Sequence, residues 1–129
     1  MTPLQVGDAG PSRTDPPLTV TQFVRYQGAS GDFNPIHHDS EFAKAAGFPS
    51  PFAVGMLQYS RLAAWLSDWV GVSNIVRFTG QFRELAWPGD ELTYSGSVTS
   101  AHGDTAEIDM LVTRQTGEVH IKGSATVTN

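Results

Sequence analysis

The chain has 129 residues, 40% of them hydrophobic, with a formal net charge of −5 and no cysteine. That length describes one domain with one modest core, a size at which pairing with a second subunit adds useful burial. Having no cysteine excludes disulfides, thiolate metal sites and cysteine nucleophiles, and the scattered Lys and Arg argue against a nucleic-acid partner.

In chain order, residues 1–17 are polar and proline-rich and lack the apolar core of a signal peptide. They read as an irregular or partly paired N-terminal segment of a single domain over 1–129, with a cytoplasmic location expected. Thr19 or Thr21 is placed to cap a short helix over "TQFVRYQGAS". The next stretch, "SGDFNPIHHD" (Ser30 to Asp39), contains Gly31, Asn34 and Pro35 and has to be a loop. Asp39 or Ser40 then caps a second short helix, "SEFAKAAGF", closing at Gly47. Pro49 and Pro51 keep the following backbone extended, so a long helix is expected to start near Val54–Gly55 and end at Gly71. Met56, Leu57, Ser60, Ala63, Ala64 and Trp69 recur there at helical spacing, and Leu62, Leu66 and Val70 widen the apolar surface, which predicts burial on several sides. Trp65 and Trp69 read as core. Arg61 and Asp68 break the run too often for a membrane span.

From Ile75 the period changes to two. Val76, Phe78 and Phe82 alternate with Arg77, Thr79, Gln81 and Arg83. After the turn "WPGDE" comes a run through Leu92, Tyr94 and Val98; after "AHGD", one through Ala106, Ile108, Met110 and Val112; after "QTGE", one through Val119, Ile121, Ala125 and Val127. Four runs joined by glycine-containing turns predict an antiparallel meander. Strands of about 30 Å can curve around a helix of about 22 Å, an α+β arrangement. His102 falls in a hairpin turn and His120 on a polar strand face; both are expected in solvent, as are Arg61, Arg77 and Arg83.

The loop is where chemistry concentrates. Asp32 and His37 flank Pro35, and such a carboxylate–imidazole pair can hold a water and take its proton, because imidazole titrates near neutrality. Asn34 can orient either partner or brace the loop. Residue chemistry alone equally allows a structural loop in which Asp32 and Asn34 satisfy backbone amides. A metal site drawn from Asp32, His37, His38 and Asp39 is disfavoured, since adjacent side chains point apart and no second ligand cluster follows.

A wider pattern narrows the choice. Tyr26, then Ser30-Gly31-Asp32-Phe33-Asn34-Pro35-Ile36-His37, then Ala43, followed by "PSPFAVGMLQ" and "VRFTGQFRELAWPGDELTYSGSV", resembles the MaoC-like (R)-specific enoyl-CoA hydratases over nearly everything after Pro17. The resemblance implies a hot dog fold, a long helix wrapped by a curved antiparallel sheet. It implies that Asp32 and His37 are the catalytic pair, adding water to trans-2-enoyl thioesters or dehydrating (R)-3-hydroxyacyl thioesters in fatty acid or steroid side-chain metabolism. It assigns the Gly55 backbone N–H to the thioester oxygen and a bracing role to Asn34. No metal or cofactor is implied beyond coenzyme A or acyl carrier protein as part of the substrate, and the expected partner is a second hot dog subunit in a homodimer or heterodimer. Two departures stand out: Val54 precedes Gly55 where many relatives carry histidine, and Ala63 occupies a position that is serine in some. A non-catalytic subunit of a heteromeric dehydratase and a hot dog acyl-CoA thioesterase are the alternatives.

Overall fold

The computed structural model describes residues 2–129. Helix α1 spans Val20–Ser30; Thr19, not Thr21, caps it, accepting from the Gln22 N–H while the Gln22 side chain accepts from the Thr19 N–H. It ends on Gly31, whose φ of 80° is left-handed. A 3-10 turn, Pro35–His37, leads into helix α2, Ser40–Ala45, capped by Asp39. Helix α3 runs Gly55–Val70, matching the start expected after the two prolines. Gln58, Leu62, Trp65, Leu66 and Val70 make its buried line, whereas Met56, Ser60 and Ala64 form an exposed stripe. The helix is thus deeply buried along one face and open along another, narrower than its composition suggests.

After a 3-10 turn at Val72–Asn74, the strands follow: β2 (Ile75–Phe82), β3 (Thr93–His102), β4 (Thr105–Thr113) and β5 (Val119–Thr128), with a two-residue β1 at Arg13–Thr14. Their order in the sheet is β1-β3-β4-β5-β2, every pair antiparallel. This corrects the four-run meander. Only β3, β4 and β5 form one; the 83–92 segment carries the chain across the sheet, so β2 pairs with β5 and lies at an edge. The inner face offers Tyr94, Val98, Ile108, Met110, Val112 and Ile121 to the helix, all buried. The N-terminal segment lies along β3 through Gly7, Asp8, Ala9 and Gly10, and Trp65 donates to the Pro11 carbonyl at 2.7 Å.

Asp90 fastens the crossing segment. Arg114 reaches both its oxygens, at 2.7 and 3.1 Å, and Gln115 and the Trp87 N–H each donate at 2.8 Å. Burial alone would raise its pKa, but these hydrogen bonds and the Arg114 charge outweigh burial and hold it below the usual carboxylate value. No helix among the described residues is long and apolar enough to cross a membrane.

Candidate active site

The loop between α1 and α2 is held by short-range polar bonds. Asp32 Oδ1 accepts from the Asn34 N–H at 3.2 Å, and Asn34 Oδ1 accepts from the Ile36 N–H at 3.1 Å, capping the 3-10 turn that presents His37. Beneath the loop lies Gln27, only 2% exposed. Its amide donates to the Asn34 carbonyl at 2.9 Å and accepts from His38 Nδ1 at 2.8 Å, tying the loop at both ends. Sequence reasoning missed Gln27, because nothing in its helical position distinguishes it from a solvated glutamine. It also separates the paired histidines: His38 bonds Gln27, and His37 turns the other way.

His37 Nδ1 lies 2.8 Å from the Phe52 carbonyl oxygen, with the Phe52 ring edge-on at 5.3 Å. A carbonyl can only accept, so Nδ1 carries a proton, and in the neutral ring Nε2 holds the lone pair. Asp32, His37 and Gly55 line one cavity of about 250 Å³, with Phe52, Phe82 and His120 completing its walls. Asn34 is not among the lining residues; its side chain bonds within the loop and its carbonyl bonds to Gln27 of α1. Gly55 is the first residue of α3, so its N–H has no intrahelical acceptor, and the N-cap, Val54, makes no side-chain bond; the Leu57 N–H donates to the Val54 carbonyl at 2.9 Å. A Cβ at Gly55 would stand 2.7 Å from the Phe82 ring, so glycine lets the two approach closely and a larger residue would have to displace that ring.

His120 overturns its expected solvent exposure. It is 3% exposed, and its Nδ1 donates to the Glu84 carbonyl at 2.7 Å. The reason is a β-bulge: Val112 pairs with Ile121 and Thr113 with Val119, leaving His120 as the extra residue. The bulge breaks the period of two, and His120 and Ile121 are both buried. Burial is the chief cause holding the His120 ring below its ordinary pKa, against the opposing pull of the Glu84 carbonyl and Asp90. His102, by contrast, is exposed at the β3–β4 hairpin as expected.

Residues 5–120 match the family described as "MaoC like domain". The chain belongs to the MaoC-like family. Among MaoC-like relatives it is 30% identical over 130 residues to the (R)-specific enoyl-CoA hydratase of Aeromonas caviae, covering 96% of this chain and 94% of the relative. It is 36% identical over 101 residues to Enoyl-CoA hydratase ChsH3 of Mycobacterium tuberculosis, covering 67% of this chain but only 35% of that longer protein. In fold it superposes on the ChsH1-ChsH2 complex from Mycobacterium tuberculosis with a TM-score of 0.85, at 23% identity and over 99% of this chain and 98% of that one. The α+β hot dog architecture is that of these neighbours.

Proposed function

We propose that this MaoC-like domain catalyses (R)-specific hydration of trans-2-enoyl thioesters, or the reverse dehydration of (R)-3-hydroxyacyl thioesters. The observation that carries the reading is the meeting of Asp32, His37 and Gly55 on one cavity, with His37 Nε2 bare. In this mechanism the Asp32 carboxylate and His37 Nε2 hold a water. Its oxygen bonds to C3 as the pair takes its proton; the C2–C3 π electrons move toward the thioester, and C2 is then protonated from the same pair. Negative charge develops on the thioester oxygen in between, where the Gly55 N–H and the positive end of α3 favour it. The elements of water add with no change in electron count, so no redox group is required, and coenzyme A or an acyl carrier protein enters only as part of the substrate. Asn34 and Gln27 act through the loop.

The functional unit in this reading pairs two hot dog subunits along β2, whose outer edge is unpaired and whose Val76 is 64% exposed. Similarity to a ChsH1-ChsH2 complex supports a second form, a heterodimer, in which this chain, keeping both Asp32 and His37, is the active subunit. The test is direct. Purified protein is given trans-2-butenoyl-CoA, a medium-chain enoyl-CoA and a steroid enoyl-CoA, alone and with a candidate partner, while mass in solution is recorded. Formation of an (R)-3-hydroxyacyl product supports the proposal; thioester hydrolysis instead of hydration would replace it with the thioesterase alternative.

A further inference from the structure

The cavity has an exposed and a buried side. Asp32 and Phe82 are exposed at its mouth, whereas Ala53, Val54 and His120 are buried at its floor. On that floor His120 is the one polar side chain, and its Nε2 is buried without any hydrogen-bond partner. The Nδ1–H bond to the Glu84 carbonyl fixes the tautomer, so Nε2 is a lone pair waiting for a donor. The ring reaches this position through a β-bulge, a device that re-aims one side chain at the cost of a ladder bond. Two imidazoles therefore face one cavity, each with Nδ1 tied to a backbone carbonyl and Nε2 free. His37 shares the cavity with the Asp32 carboxylate; His120 lies on its buried side, with its ring 6.2 Å from that of Phe82.

We propose that His120 is a specificity-determining residue, accepting a hydrogen bond at Nε2 from a hydroxyl or N–H group carried on the acyl chain beyond the reacting double bond. The inference rests on the enoyl-thioester reading of the cavity. A plain alkyl chain would press against the Nε2 lone pair and leave it unsatisfied, and a site built to accept from a substrate donor discriminates against the analogue lacking it.

The experiment measures affinity of the full chain for saturated acyl-CoA pairs, which cannot be hydrated. Each pair has the same chain, with or without a terminal hydroxyl, and the pairs form a series of increasing chain length. At least one hydroxylated member is expected to bind roughly tenfold or more tightly than its plain partner. His120→Asn keeps an amide donor for the Glu84 carbonyl but has no acceptor at the Nε2 position, and should abolish the difference; His120→Gln, which reaches that position, should restore part of it. Equal binding of every pair by the parent protein overturns the proposal, as does a preference that survives His120→Asn. If Nε2 instead holds a structural water, the preference is absent in the parent and His120→Asn only lowers Tm, which also overturns it. Should His120→Asn fold poorly, the parent's preference and the His120→Gln result decide. A hydroxyl preference without any hydration of enoyl thioesters keeps this inference and sinks the catalytic reading; hydration without preference does the reverse.

Discussion

His37 Nδ1 lies 2.8 Å from the Phe52 carbonyl oxygen, and that one hydrogen bond decides which ring nitrogen can work. Because Phe52 belongs to the segment just before α3, the same short stretch orients the His37 ring and leads into Gly55. His37→Gln should roughly keep the side chain's size but lose the imidazole that exchanges a proton with the water, so kcat on an enoyl thioester should fall about a hundredfold or more. Steady-state rates with KM recorded separately check it; a loss confined to KM would make His37 a binding residue only.

Gln27 acts through the loop rather than on substrate. Gln27→Leu fills the same buried space but removes the hydrogen bonds to the Asn34 carbonyl and His38 Nδ1. Stability should drop by about 1–3 kcal/mol. As a positioning residue it should also lower kcat while leaving the pH profile unchanged, since it titrates nothing. Denaturant midpoints and a pH–rate curve on the same variant separate the two effects.

The Gly55 N–H is tested by difference. Any Cβ there meets Phe82 at 2.7 Å, so Gly55→Ala and Gly55→Pro both displace that ring, but only proline removes the donor. Proline is tolerated at the first helical position. Relative to Gly55→Ala, Gly55→Pro should lower kcat a further hundred- to thousandfold, roughly the effect of one lost oxyanion donor. Equal rates in the two folded variants would place the oxyanion donor elsewhere.

Acid should destabilise the fold in two separate windows. His120 has a folded pKa below its ordinary 6.5 through burial, so on acidification the unfolded chain takes up this proton first and stability falls from near pH 6.5 down to the folded value. Asp90 is held below its ordinary 3.8, so its contribution is intact above that pH and is lost only as pH falls further through the folded value. Tm measured against pH should therefore show an early step that His120→Asn removes and a later one that Asp90→Asn removes, the latter variant being less stable at neutral pH.

How much of this was legible in the sequence depends on the range of the interaction. The two helix caps (narrowed to Thr19 or Thr21 and to Asp39 or Ser40), the start of α3 near Gly55 and most of the alternation of β3, β4 and β5 are local or one-sided patterns that read from residue spacing. Strand order is not local: the alternation in β2 is the same whether it pairs with β3 or, as found, with β5. Even that alternation is interrupted, since a bulge at Val76 leaves the side chain in solvent. His120 was hidden by the same kind of defect, one extra residue that reverses the meaning of a polar-face position. Gln27 was hidden because its partners are a carbonyl and an imidazole on a loop whose path no periodicity reports.

The most direct measurement compares kcat on trans-2-butenoyl-CoA for the parent chain, Asp32→Asn, His37→Ala and the double variant, each confirmed folded by thermal unfolding. If the carboxylate and the imidazole hold and deprotonate one water together, each single variant loses about a hundredfold or more and the double is little worse than either. Near-parental turnover in a folded single variant, or losses that multiply in the double, would contradict a shared role for Asp32 and His37.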